Sequence, residues 1–259
     1  MRRNRILWAA CALLLVACAA DRTDLRKREV AYRDLGKQYY LAGDFTSALK
    51  YLLDAEKMNH DDHILQNYLG QVYLAKRKPE LAVAHFKQAL QLKPDYAVAK
   101  NNLGVAYLKE QKYDEAIAIF KEVSGDLLYA TPHYPLTNIG YAYYQKKDYK
   151  EAESYYQKAL ELEPRFPLAL RGLGRTYLAM GKGDAAQAAL TAAIDSDPSS
   201  AEAYYELGKS YLLLKNPAKA KAAFQKAVQL KPDSPEAKAA RSEPVSYTHL
   251  TLPTINGEG

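Results

Sequence analysis

Six glycines recur along the chain at a nearly constant spacing, and this period limits the fold more than any other feature. They are Gly36, Gly70, Gly104, Gly140, Gly174 and Gly208, separated by 34, 34, 36, 34 and 34 residues. A period of this length is typical of repeat proteins, in which one small supersecondary unit packs on the next. The spacing therefore predicts six stacked units.

Two further positions repeat in phase with the glycines. Glycine inside a helix costs about 1 kcal/mol relative to alanine, so its recurrence predicts that two helices approach too closely there for any side chain. The alanines are expected to serve this contact from the second helix, and the tyrosines to fill the core around it rather than to stack on bases. Tyrosine follows each glycine by three residues and alanine by twelve: Tyr39, Tyr73, Tyr107, Tyr143, Tyr177 and Tyr211; Ala48, Ala82, Ala116, Ala152, Ala186 and Ala220.

The combined pattern resembles the tetratricopeptide repeat (TPR). Proline closes four units, because it cannot continue a helix: Pro94, Pro164, Pro198 and Pro232. The resemblance implies an all-α fold, a right-handed superhelical solenoid of helix-turn-helix repeats with a concave inner surface. Two departures are His60, in place of a closing proline, and Val123 in a junction that is two residues longer. The expected repeats are 29–62, 63–96, 97–132, 133–166, 167–200 and 201–234.

The N-terminal residues combine basic and apolar side chains in the pattern that is typical of an export signal. Three arginines, at positions 2, 3 and 5, precede an apolar run from Ile6 to Ala17, which is shorter than the roughly 20 residues that a membrane span needs. Leu15 to Cys18 resemble the lipobox of bacterial lipoproteins. The resemblance implies a signal peptide over 1–17, acylation of Cys18 and a tether over 18–28. An ordinary signal peptide with an incidental cysteine is the alternative.

Under the lipoprotein interpretation, the residue after the anchor indicates the membrane. Ala19 stands where an aspartate holds such lipoproteins in the inner membrane, so the outer membrane, facing the periplasm, is expected. At the other end, residues 235–243 predict a truncated capping helix. The residues that follow, 244–259, lack the repeat phase, and Val245 to Thr254 back-translate to a sequence that resembles a sequencing adapter, which indicates a non-native tail. A natural disordered terminus is the alternative.

The sequence offers no motif for catalysis. It has no nucleotide-binding loop, nucleophile elbow or zinc spacing, so neither an enzyme nor a cofactor is predicted. The stretch "NHDDH" at 59–63 is the one cluster that could attract a metal, but it spans an inter-repeat turn where polar residues are expected anyway. Without the three N-terminal arginines the formal charge of +6 falls to +3, which gives no argument for nucleic acid.

The resemblance to TPR proteins places peptide binding on the first helix of each repeat. The inner positions lie three residues before, one after and four after each glycine. They carry five cations and no acid. Because Arg171 and Arg175 lie one helical turn apart, near Lys209, we expect an acidic, partly apolar partner segment to relieve their repulsion. The candidate groove residues are Arg33, Lys37, Tyr40, Asn67, Gln71, Asn101, Tyr141, Tyr144, Arg171, Arg175, Tyr205 and Lys209.

A lipobox followed by six repeats resembles the type IV pilus biogenesis and stability lipoproteins, the pilotins. The junction carries the resemblance: Asp126, Leu127, Leu128 and Tyr129, followed by "NIG" at 138–140. Membership would imply that the partner is the pilus secretin and that the protein helps this secretin to reach or assemble in the outer membrane. The alternative is a general envelope scaffold that serves another secretion, export or assembly system.

Overall fold

The computed structural model of the protein describes residues 24–126 and 129–243. The predicted signal peptide, Cys18, the tail and two junction leucines lie outside the described residues. Every regular element within these ranges is an α-helix. α1 spans residues 24–41, and the others are α2 Phe45–Met58, α3 His63–Ala75, α4 Pro79–Leu92, α5 Ala97–Lys109, α6 Tyr113–Ser124, α7 His133–Gln145, α8 Tyr149–Leu162, α9 Pro167–Ala179, α10 Gly183–Ser196, α11 Ala201–Leu213, α12 Pro217–Leu230 and α13 Pro235–Ser242.

The chain divides into two compact units between Ile119 and Phe120. In unit 1, consecutive helices from α2 to α5 pack against one another; in unit 2, consecutive helices from α7 to α13 do so. Turns of a few residues join these neighbours, so each turn reverses the direction of the chain. Both units are therefore built from the predicted helix pairs.

The turn within each pair places one residue in the left-handed backbone region, seven positions after the repeat glycine. Two repeats have glycine at this position, Gly43 (φ 80°) and Gly181 (φ 72°). The other four have a residue with a side chain there, with φ between 57° and 63°: Arg77, Gln111, Lys147 and Lys215. The amide of the next residue bonds back into the helix, as in Lys78 N to Tyr73 O at 2.9 Å. The turn is thus fixed by geometry and not by a glycine in every repeat.

At the repeat glycines the second helix leaves no space for a further side chain, as predicted, but it fills that space with a large side chain and not with the in-phase alanine. A Cβ on Gly70 would lie 2.5 Å from Phe86, and one on Gly208 would lie 2.4 Å from Phe224. Both rings are fully buried, and both stand sixteen residues after their glycine. The in-phase alanines are buried as well, but the close contact belongs to the ring.

The in-phase tyrosines pack against the core clusters, as predicted. Each of the six is partly buried against buried Ala, Leu, Phe or Val side chains. Lysines cover several of the outer ring faces; the Nζ of Lys182, for example, lies 5.3 Å from the centroid of Tyr177. Because these rings pack in the core, the surface available for binding is formed by the inner positions of the first helix of each repeat.

Candidate functional site

The inner face of unit 2 holds a cavity of about 710 Å³, which we call the main cavity. Seven of its lining residues come from inner positions of α7, α9 and α11, and two carboxylates are added by α13 and by the residue that follows it. The structure thus brings together Tyr144, Arg171, Arg175, Leu178, Tyr205, Lys209 and Leu212, with Glu206, Glu236 and Glu243 beside them.

Arg175 already has a partner within the chain. Its Nε lies 3.1 Å from Oε1 of Glu206, and its guanidinium carbon lies 4.9 Å from the centroid of the Tyr144 ring. Glu206 is 9% exposed. Burial raises the pKa of Glu206 to about 7, although Arg175, Arg171 and Lys209 each act to lower it. The expectation that this surface carries cations and no acid therefore needs correction.

Sequence reasoning missed Glu206 because it stands two residues before its glycine, a phase outside the three inner positions. Tyr68 and Asn102 also stand two residues before their glycines. The Tyr68 ring lies 6.4 Å from that of Tyr40, and Asn102 donates a hydrogen bond to Asn67. A fourth inner position, read in every repeat, would have found all three.

Arg171 differs from Arg175 in its contacts, although Asp197 and Glu202 line the same cavity of about 220 Å³ and interact with its charge. In the part of the chain that the structure describes, it makes neither an ion pair nor a hydrogen bond. It lines the main cavity and two smaller ones of about 160 and 220 Å³. Lys209 is exposed, and its Nζ lies 5.8 Å from the Tyr205 ring. Two cations thus remain available to an external anion.

Apolar side chains stand next to these cations. Leu168 is 49% exposed and lines both smaller cavities, whereas Leu213 is 45% exposed and lines the main cavity. Tyr141 lines the cavity of 160 Å³. The hydroxyl of Tyr205 donates to Oε1 of Glu243 at 3.0 Å, and burial together with this bond raises the pKa of Tyr205 to about 12. The surface can therefore contact apolar and anionic groups side by side.

In unit 1, the predicted groove residues contact their own chain. Arg33 Nη1 lies 2.6 Å from Oδ2 of Asp62, and Arg33 Nη2 lies 3.0 Å from Asp34. Glu29 lies buried beside them. Burial raises the pKa of the Glu29 carboxyl, and the charge of Asp62 raises it further. Arg33 is thus held in an internal charge cluster.

The amides of unit 1 are largely committed as well. Asn67 is 2% exposed, and its Oδ1 accepts a bond of 2.9 Å from Asn102. Gln71 Nε2 reaches the carbonyl of Asn67 at 3.5 Å, and Lys37 lies 5.8 Å from the Tyr68 ring. Asn101 keeps one buried oxygen without a partner among the described residues. Apart from Lys37, which is exposed as Lys209 is, these side chains support the fold of unit 1.

The residues of "NHDDH" are engaged separately. His60 Nε2 lies 3.1 Å from Asp61, Asp62 pairs with Arg33 and the His63 ring lies edge-on to Tyr96 at 5.0 Å. Asp62 also caps α3, accepting bonds from Ile64 N and Leu65 N. Across residues 24–126 and 129–243, no group of three His, Cys, Asp or Glu side chains is arranged to hold a metal ion.

Helix pairs in a 34-residue phase, with an inner face that carries open cavities, define a repeat scaffold. The tetratricopeptide repeat model matches residues 33–97 and 171–235, and a second such model matches residues 73–127 and 143–198. The chain belongs to the tetratricopeptide repeat family, which confirms the predicted all-α fold class. This family consists of protein-interaction scaffolds.

Solved structures with this fold include a type IV pilus biogenesis factor. The chain is 23% identical to PilW, a widely conserved type IV pilus biogenesis factor, with a TM-score of 0.75 over 83% of this chain and 98% of that one. It is 21% identical to Pseudomonas aeruginosa pilF, with a TM-score of 0.70 over 85% and 99%. YrrB, a TPR protein with an unusual peptide-binding site, is 26% identical, with a TM-score of 0.50 over 73% and 97%.

No curated protein sequence matches the chain significantly. Among the helices of the described ranges, none has the length and apolar character needed to cross a membrane.

Proposed function

We propose that this protein is a lipid-anchored scaffold on the periplasmic face of the bacterial outer membrane. It binds a short, acidic and partly apolar segment of a secretin through the inner face of unit 2, and it thereby assists type IV pilus assembly. Cys18 carries the lipid. The TPR fold supplies the binding surface, and the lipid supplies the location.

This proposal depends on the residues that line the main cavity and its neighbours. Arg171 and Lys209 have no ion-pair partner in the described part of the chain, and the exposed Leu168 and Leu213 stand beside them. Buried apolar side chains provide most of the favourable energy of an interface, whereas charge complementarity provides selectivity. A segment that alternates acidic and apolar residues matches both features.

Two observations support the assignment to a pilus system. PilW and pilF share the fold over almost their whole lengths. The lengthened junction before α7, with Asp126 and Tyr129 at its ends, also resembles the corresponding stretch of pilotins. The fold alone fits any TPR scaffold, so the partner must be tested directly.

The test is a titration of the full chain, in detergent, with overlapping peptides from a secretin encoded near pilus genes. The double variant Arg171→Glu/Lys209→Glu should bind more than tenfold more weakly, which is about 1.4 kcal/mol or more. The control, Lys37→Glu/Lys50→Glu, changes the charge equally in unit 1 and should bind normally. Binding should weaken from low to physiological salt, as the Debye length falls from about 30 to about 8 Å. Equal loss in both variants, or no binding of any secretin peptide, would contradict the proposal.

The anchor is tested separately in cells. Cys18→Ser removes the thiol that would be acylated, so the protein should move from the membrane fraction to the soluble fraction. The parallel variant Cys11→Ser lies within the proposed signal peptide and should leave the membrane fraction unchanged. Membrane association that survives Cys18→Ser would refute the lipid anchor.

A further inference from the structure

Glu206 is a buried acid at the centre of the binding surface, and its hydrogen bonding is incomplete. Its Oε1 faces Arg175 Nε at 3.1 Å. Its Oε2 is buried and has no hydrogen-bond partner among the described residues. A buried polar atom without a partner costs about 1–3 kcal/mol. Because Glu206 lines the main cavity, a ligand in that cavity can supply the missing partner.

The charges around Glu206 determine what kind of ligand this is. Arg171 and Arg175 face it from α9, and Lys209 and Glu202 lie on its own helix. Glu202 is itself paired with Lys231 at 3.0 Å. The remaining titratable groups around it are Tyr144 on α7, Tyr156 on α8, Tyr205 on α11, Glu236 on α13 and Glu243 next to α13. At Glu206 itself the three cations have a larger electrostatic effect than Glu202, so this point of the cavity favours a carboxylate over an ammonium group.

A ligand carboxylate competes with Glu206 for Arg175. Two carboxylates at one arginine repel each other unless one of them carries a proton. The protonated Oε2 would then donate a hydrogen bond to the ligand carboxylate, which satisfies the orphaned atom. Burial already raises the pKa of Glu206 to about 7, so the proton is taken up from solvent at neutral pH with little cost.

We propose that Glu206 determines specificity in the groove by accepting one proton from solvent when an aspartate or glutamate side chain of the partner binds to Arg175. The inference rests on the proposed function, since it requires that an acidic segment occupies the main cavity. Binding is then stronger at lower pH. The carboxylates of the segment itself, with ordinary pKa values near 4, stay ionised between pH 6 and 8.

The probe is the blocked peptide acetyl-LDELDL-amide, titrated calorimetrically into the full chain in detergent. At pH 7 the titration is repeated in buffers with different ionisation enthalpies, which reports the protons taken up. Proton uptake and an affinity about tenfold higher at pH 6 than at pH 8 are expected, because a group with a pKa of about 7 loses its proton over this interval. The amide analogue acetyl-LNQLNL-amide should bind weakly at both values of pH.

Two variants test the role of Glu206. Glu206→Gln should bind the acidic peptide with nearly the same affinity at pH 6 and pH 8 and should take up no proton. Glu161→Gln, at an exposed position of α8 that lines none of the three cavities, should keep the behaviour of the wild type. If the wild type binds the peptide without proton uptake and without pH dependence, this inference is wrong while the proposed function stands. If the wild type does not bind at any pH, the acidic-segment proposal fails with it.

Discussion

The two units place an arginine at the same repeat position but use it differently. Arg33 and Arg171 both stand three residues before their glycine. The repeat ends with Asp62 in one case and with Ser200 in the other, and each of these caps the first helix of the next repeat. Asp62 neutralises Arg33 at 2.6 Å, whereas Ser200 lines a cavity of about 220 Å³ beside Arg171. The cap residue therefore pairs with the arginine in unit 1, whereas in unit 2 it is neutral and the carboxylates of Asp197 and Glu202 act on Arg171 without forming an ion pair among the described residues.

This difference shows that a repeat fixes where a side chain lies but not what it contacts. Asp and Ser cap a helix almost equally well, so the fold accepts either. Because only the aspartate carries charge, we propose that the choice at this position helps to determine whether the arginine pairs within its own chain or can bind a partner. Four measurements test this comparison.

The largest effect is expected at the repeat glycines, because in both units a glycine leaves space for a buried phenylalanine of the next helix. Gly70→Leu and Gly208→Leu each place a side chain in the space of a fully buried phenylalanine. Either change should lower the free energy of unfolding by about 3 kcal/mol through overpacking. Denaturant unfolding measures it, with Gly125→Ala as a control, since a Cβ there approaches its nearest atom only to 3.4 Å. A free energy of unfolding equal to that of the wild type, in either variant, would mean that the phenylalanine does not need the space beside the glycine in that unit.

The next effect separates the units. Arg33→Met leaves Asp62 and Glu29 partly buried without their cation, and we expect it to cost about 2–3 kcal/mol of stability. Arg171→Met removes a cation that has no partner within the described residues, so its cost should stay within about 0.5 kcal/mol. Thermal and denaturant unfolding of the two variants compare them directly. Similar costs would show that Arg171 also supports the fold.

The smallest change in stability is expected at the turn residue with a left-handed backbone, which both units share. Arg77→Gly in unit 1 and Lys147→Gly in unit 2 relieve a positive φ of 58° and 63°. Each should raise the stability by about 0.5–1 kcal/mol, because glycine adopts this backbone conformation without steric cost. A lower stability in either variant would show that the replaced side chain makes contacts that outweigh the backbone strain.

The sequence predicted the repeat phase, the helix pairs and the core packing of the tyrosines, because these depend on periodicity alone. It did not predict that Phe86 and Phe224 occupy the space beside the glycines, since the phenylalanine recurs in only some repeats. It also missed the pairs Arg33–Asp62 and Arg175–Glu206. Each joins residues about thirty positions apart, and only the packing of successive repeats determines which side chains meet.

The most direct test of the account transfers the cap residue of unit 1 to unit 2. Ser200→Asp keeps the helix cap, because either side chain can accept the bond that Ser200 now accepts from Ala203 N at 3.2 Å, but it places a carboxylate in the cavity beside Arg171. The measurement is a titration of the acidic probe peptide into the wild type and into Ser200→Asp, with circular dichroism to verify folding. We predict that the variant binds at least about fivefold more weakly, roughly 1 kcal/mol, and that the difference shrinks as salt is added. Equal affinity at low salt would contradict the claim that an unpaired Arg171 is what opens unit 2 to a partner.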